Sequence, residues 1–215
     1  MMKIEGDYER DGYAFVRRLI APEIARAFLA QLQADLAAQR VAYSQFAAQS
    51  KLLNKVAVEI YGYRYKPMVP FLWGLTPTMC EITGRDLLPT YNFFRLYQGG
   101  DICRVHSDRP ACEHSLSLTL AYGDDKVWNL DIGKSQVDEP KSFAEDFGGE
   151  EYSSLGMEPG DAVLYRGTDR RHGRIDPNPN RWSAHMFLHW VDRGGPHAST
   201  AFDGMVEVPE KIEFM

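Results

Sequence analysis

The sequence predicts a mainly β domain of the α+β kind, a jelly-roll (double-stranded β-helix) barrel with supporting helices on its N-terminal side. Three observations carry this. Over 22–40 apolar residues recur at three- and four-residue steps, the period of a helix with one buried face. From about residue 90 the period drops to two, as in Ser115-Leu116-Ser117-Leu118-Thr119-Leu120. The alternating stretches are cut by turn clusters, among them Gly99-Gly100, Gly123-Asp124-Asp125, Pro159-Gly160-Asp161 and Pro177-Asn178-Pro179-Asn180. Helices first and about seven short strands afterwards suit a closed or double-sheet β architecture with helices on one outer face.

Taken in order, 12–20 reads as a short strand, and Pro22 stands where a first-turn proline opens a helix. In that helix Ile24, Ala27, Phe28, Leu32 and Leu36, with Ala25 and Leu29 alongside, form the apolar side. Tyrosines and prolines between Tyr61 and Pro70 break regular structure, and a second helix is expected over 71–83, ending at Gly84. Strands are expected at 91–98, 102–106, 115–120, 128–132, 151–157, 161–166 and 182–191, each with one buried face. The stretch 138–150, acidic and glycine-rich around two phenylalanines, reads as a surface insert. One domain is expected over 1–215, with helical support over about 1–87, the barrel over about 88–192 and a tail over 193–215.

Composition narrows the function. The 215 residues are 44% hydrophobic, enough for a sizeable core. A formal charge of −6 argues against nucleic acid as a partner, because phosphate binding needs a basic excess. Cys80, Cys103 and Cys112 form neither a disulfide framework nor a C-x-x-C pair and read as reduced thiols. No run approaches the roughly 18 apolar residues of a membrane span. The expectation is a soluble, unprocessed, cytoplasmic protein with no membrane partner.

Chemistry is suggested at two places. In His106-Ser107-Asp108, side chains at i and i+2 near a strand end can offer a nitrogen and a carboxylate oxygen to one metal. Alone, the triplet equally fits a surface histidine beside a turn aspartate. The second place is the turn Pro159-Gly160-Asp161 feeding a buried strand, followed by His172 and then Arg181-Trp182-Ser183. Two histidines and one carboxylate make the facial set that leaves positions open on ferrous iron. Arg181 follows His172 by nine residues across a Pro/Asn turn, and its guanidinium is placed to clamp a carboxylate, with Ser183 on the same strand face. Arg174, two residues past His172, should share its side and line the pocket. It is read either as a salt bridge to Asp108 or Asp176, or as the receiver of an anionic group of the substrate, and it is next in line as the clamp. His114, His185 and His189 read as packed or hydrogen-bonded residues. Tyr61, Tyr63, Tyr65 and Trp73 either roof the site or belong to ordinary core.

From about Leu88 to Asp192 the chain resembles the prolyl-hydroxylase-like branch of the iron(II)/2-oxoglutarate dioxygenases. The elements that carry the resemblance are Tyr97-Gln98-Gly99-Gly100, His106-Ser107-Asp108, Pro159-Gly160-Asp161, His172 and Arg181-Trp182-Ser183. It implies iron on His106, Asp108 and His172, with 2-oxoglutarate and O2 as co-substrates. It implies Tyr97 hydrogen-bonding the 2-oxoglutarate and Arg181 pairing with its distal carboxylate. The reaction implied is hydroxylation of an unactivated C–H in a small metabolite, amino acid or peptidyl residue, with release of succinate and CO2. Cys103 stands where some relatives carry an aromatic residue. The alternative from another class is a non-oxygenase, cupin-like metal-binding barrel, against which an arginine clamp speaks.

Overall fold

The structure is a computed structural model and describes residues 2–137 and 143–204. Twelve strands form two sheets: β1 (Lys3–Glu5), β2 (Tyr13–Arg17), β3 (Ala47–Ala48), β4 (Ala57–Tyr61), β5 (Leu87–Gln98), β6 (Cys103–His106), β7 (His114–Tyr122), β8 (Leu130–Gln136), β9 (Tyr152–Leu155), β10 (Ala162–Arg166), β11 (Arg170–Arg174) and β12 (Trp182–Asp192). The larger sheet runs β1-β2-β10-β7-β12-β5-β4-β3 and the smaller β6-β11-β8-β9, every pairing antiparallel. This is the expected jelly roll.

Its N-terminal part departs from expectation. Besides the helices and the strand expected over 12–20, which is β2, residues before Leu87 supply three further strands of the larger sheet, with β2 paired to β10 and β4 to β5. Helix α1 (Tyr8–Asp11) is one turn, opened by an Asp7 side chain that accepts from the Arg10 N–H. Helix α2 (Pro22–Ala38) and helix α3 (Val69–Thr83) are the two expected helices, and α3 ends as expected on Gly84, left-handed at φ 68°. The buried stripe of α2 is Ala25, Phe28, Leu32 and Leu36, whereas Ile24 faces solvent, so the helix is rotated from the face that Ile24 and Ala27 suggested.

The alternation in the central strands has a different meaning from the one expected. Leu116, Leu118 and Leu120 of β7 join Met186, Leu188 and Trp190 of β12 and the apolar stripes of α2 and α3 in the main core. The opposite phase, Ser115, Ser117 and Thr119 with Ser183, His185 and His189, is equally buried but faces the barrel interior. Both faces of this sheet are therefore dry, and the polar one lines the inside of the barrel. The 138–150 stretch is likewise more than a surface insert in its described part: Ala144 bridges Val105 of β6, and Phe147 is buried and stacked on Tyr152. Residues 138–142 and, in the tail, 205–215 lie outside the described residues. Among the described residues no helix is long and apolar enough to cross a membrane.

Asp161 shows how the Pro-Gly-Asp turn is built. Gly160 adopts φ 92°, and a Cβ there would run into the Ile20 carbonyl oxygen, so the position suits no other residue. Buried Asp161 then accepts from the backbone N–H of Arg18 (2.8 Å) and of Glu158 (3.1 Å) and pairs with Arg17 (3.0 Å). Its role is to tie the β2 end to the start of β10. Asp161→Ala, which strands these donors, should cost about 2–4 kcal/mol of stability, measured by chemical denaturation, without altering metal affinity.

Candidate metal centre

β6 and β11 are neighbours in the smaller sheet, and His172 pairs directly with His106 across them. Cross-strand partners stand about 4.5–5.5 Å apart at Cβ, so register alone sets the two imidazoles side by side, with ring centroids 4.4 Å apart. Asp108 lies just past the end of β6, fixed by its own N–H donating to the Gly167 carbonyl at 2.7 Å. Its Oδ1 is 3.6 Å from His106 Nε2 and 3.5 Å from His172 Nε2. One ligand atom from each of the three residues lies within 4.8 Å of the others.

The surroundings fix which atoms point inward. His106 Nδ1–H donates to the Arg104 carbonyl at 2.7 Å, and His172 Nδ1–H to the Arg170 carbonyl at 3.0 Å. With Nδ1–H so engaged, each ring turns Nε2 toward Asp108, a bare lone pair whenever the ring is neutral, the arrangement that backbone carbonyls impose on metal-binding histidines. Burial, with His172 beside it, pushes the His106 ring down to about 4. Burial works to raise the Asp108 carboxyl, but His172, His106 and His189 together hold it well below the usual carboxylate range. Burial also opposes charge on His172, yet the adjacent Asp108 raises its pKa above the ordinary imidazole value. A cation shared by the three would take over the charge-balancing part that a proton on His172 otherwise plays.

The second oxygen of Asp108 is occupied. Ser115 Oγ lies 3.0 Å from Asp108 Oδ2, 3.2 Å from the Cys112 carbonyl and 2.9 Å from His189 Nδ1. Gly167 is required beside this carboxylate: a Cβ there would overlap the Cys112 carbonyl and come 2.6 Å from Asp108 Oδ2. These supports were not legible as motifs, although His189 and Ser115 both stand in the inward phase of their strands.

The three residues open into a cavity of about 280 Å³ that also holds Tyr97, Tyr165, His189 and three arginines, of which Arg109 is exposed and lies over the Tyr91 ring. Arg95, inward on β5, is compensated: it pairs with Glu59 at 2.7 Å and donates to Tyr97 Oη at 3.0 Å. Arg174 is not. It is 1% exposed, its guanidinium lies 4.8 Å from the Trp128 ring centroid, and it donates to the Trp128 carbonyl. Its other listener is His185 Nδ1, 3.4 Å away, and among the described residues no carboxylate oxygen lies within ion-pair distance. The salt bridge to Asp108 or Asp176 is thus not formed. Asp131 feels the charge of Arg174, but its carboxylate accepts from the Ile175 N–H.

Two of the expected co-substrate residues fall elsewhere. Arg181 precedes β12, beyond the end of the barrel, and its side chain is 71% exposed: Nε donates to the Gly123 carbonyl at 3.0 Å and lies 3.4 Å from Asp124. It cannot clamp anything in the cavity from there. Ser183 is buried but accepts from Asn178 Nδ2 at 3.1 Å and does not line the cavity. Tyr97 and Arg174 do line it. Of the aromatic residues with two readings, Tyr61 lines this cavity, while Tyr65 is core and donates to Asp35 at 2.7 Å. His114 is the packed residue expected, between Tyr8 Oη at 2.6 Å and Asp192 at 3.2 Å.

No family model and no curated protein matches the sequence. Solved structures do match in fold. The non-heme alpha-ketoglutarate-dependent carbocyclase SnoK from nogalamycin biosynthesis superimposes with a TM-score of 0.66 at 10% identity, over 86% of this chain and 81% of that one. The epimerase SnoN, in complex with Fe3+, alpha-ketoglutarate and nogalamycin RO, gives 0.64 at 13% identity over 95% and 90%. A Pseudomonas putida prolyl-4-hydroxylase gives 0.60 at 14% identity over 87% and 96%. At such identities the likeness speaks to architecture, and on that level the chain carries the jelly-roll fold of iron- and 2-oxoglutarate-dependent oxygenases.

Proposed function

We propose that this protein is an Fe(II)- and 2-oxoglutarate-dependent oxygenase that hydroxylates an unactivated C–H of its substrate. The observation that carries the reading is the meeting, in one cavity, of two inward Nε2 atoms, one carboxylate oxygen and a buried arginine with no acidic partner. The donor set fits ferrous iron, since two imidazoles and a carboxylate on one side leave room for a bidentate ligand and dioxygen. When bound, iron with 2-oxoglutarate supplies the oxidative decarboxylation that yields succinate and CO2 and drives the C–H oxidation. That SnoN binds Fe3+ and alpha-ketoglutarate on the same fold supports the same assignment.

The chain's own residues have separable tasks. His106, Asp108 and His172 hold the metal, and Ser115 with Gly167 keeps Asp108 presenting one oxygen. Arg174 takes over the co-substrate clamp from Arg181. A buried guanidinium without a counter-charge is costly, and the distal carboxylate of 2-oxoglutarate removes that cost with paired, charge-assisted hydrogen bonds. Tyr97, held by Arg95, offers a further polar contact to the same ligand. A cupin-like metal store gives Arg174 nothing to bind, and so accounts for less of the site.

His106→Ala, Asp108→Ala and His172→Ala should each abolish iron binding and turnover with the fold kept, as should Gly167→Ala, read by metal titration and circular dichroism. Because His106 is already neutral and Asp108 ionised, loading should release more than about half a proton and no more than about one, from His172, whose pKa is raised. Metal affinity therefore falls as pH drops through the raised His172 value. Calorimetry near pH 6.5 in buffers of different ionisation enthalpy counts the proton; two released protons would contradict the assignment.

Arg174→Gln should weaken 2-oxoglutarate binding by about 2–5 kcal/mol, at least roughly thirtyfold, with iron retained. Arg181→Ala should leave both affinities unchanged. Anaerobic titration of 2-oxoglutarate into the iron-loaded variants decides this; the reverse pattern would return the clamp to Arg181.

A further inference from the structure

A second cavity, of about 650 Å³, adjoins the metal cavity and is not used by any step above. Its walls include Tyr63, Trp73, Leu72, Val69 and Phe202, and Tyr91 lines both cavities. Trp73 and Tyr63 are 59% and 57% exposed, so two large aromatic surfaces face an open concavity, a feature of binding sites more than of plain surface. The rings also run in series. Tyr63 stacks on Tyr61 (5.6 Å, 25°), Tyr61 on Phe93 (5.3 Å, 25°), and Phe93 on Phe187 (4.9 Å, 20°), leading from the outer cavity into the inner one. The charged residues in the outer wall, Lys66 and Asp203, are of opposite sign and give it no net preference for an ion.

One polar atom at the inner end lacks a partner. His189, 3% exposed and 4.6 Å from Tyr91 ring to ring, lines the metal cavity, and its buried Nε2 has no hydrogen bond. Ser115 has a single hydroxyl hydrogen and two oxygen acceptors, Asp108 Oδ2 and the Cys112 carbonyl, so the third contact, to His189, must be donated by Nδ1–H. That tautomer leaves Nε2 as a bare, unpartnered acceptor on a ring that lines the cavity. An unsatisfied buried acceptor at a site points to a donor on the ligand.

Resting on the oxygenase reading above, we propose that the primary substrate is a flat, uncharged, largely apolar ring system bearing a hydroxyl or N–H donor near its reacting end. The rings lie in the outer cavity against Tyr63, Trp73 and Tyr91, and the donor is accepted by His189 Nε2. His189 thereby sets which edge of the ring system faces the metal.

The test uses two probes with the same ring system, 2-naphthol and 2-methoxynaphthalene, the second with a methyl in place of the donor hydrogen. They are titrated by calorimetry into the full chain loaded anaerobically with Fe(II) and 2-oxoglutarate, whose own binding is measured on the same samples. The wild type should bind 2-naphthol about five- to tenfold more tightly. Trp73→Ala should weaken both probes by a similar factor. His189→Asn keeps a donor where Nδ1–H stands and removes the Nε2 acceptor; it should erase the difference between the probes while Fe(II) and 2-oxoglutarate still bind. Equal affinities in the wild type, no binding of either probe, or indifference to Trp73→Ala would each overturn the proposal. So would a dimer that Trp73→Ala turns into a monomer, which would assign the aromatic wall to a second copy. Loss of Fe(II) or 2-oxoglutarate binding with the probe pattern intact would instead count against the oxygenase reading alone.

Discussion

The register between β6 and β11 is the constraint on which the site depends. It makes His172 and His106 direct cross-strand partners, and a slip of one residue would send one imidazole to the opposite face of the sheet. The two strands are short, so their register is held from outside. Ala144 bridges Val105 on one side, β8 pairs with β11 on the other, and Gly173 allows β11 to pack against the Cys103 carbonyl and Val105 without a side chain between. Asp108 then needs only the Gly167 carbonyl to bring it under the two rings.

The larger sheet contributes in another way. Its two faces divide the work of folding and of chemistry by strand phase alone. One phase, Leu116, Leu118, Met186, Leu188 and Trp190, packs beneath α2 and α3 and supplies the core. The other carries Ser115, Thr119, His185 and His189 into a barrel interior shielded from water, where the Ser115 and Thr119 hydroxyls find partners and the Nε2 atoms of His185 and His189 do not. A site built this way stands on strands that are rigid for reasons unrelated to it.

Within that interior, charge is handled unevenly. Arg95 has Glu59, and its cost of burial is met inside the protein. Arg174 rests on a ring face, a carbonyl and a neutral histidine, all weaker than a carboxylate. In the function we propose, this imbalance close to the two imidazoles is what a dianionic chelating co-substrate would complement.

The sequence by itself determined a good part of this. Period-two alternation and turn clusters give the strands, because side-chain direction in a strand depends only on parity, and the short spacing of His106-Ser107-Asp108 is a local matter that strand geometry settles. Helix α3 was legible from Gly84, since the left-handed end is a property of that residue. Tertiary structure alone decided the rest. Whether the polar phase of β7 met water or a barrel interior depended on closure of the sheets, and that Tyr13–Arg17 and Ala57–Tyr61 would extend the larger sheet depended on partners far along the chain. The placement of Arg181 and Arg174 was of the same kind. Both follow His172 closely, but where β12 begins and where the barrel ends put one guanidinium in solvent and the other beside Trp128, and long-range pairing fixes those limits rather than any residue near them.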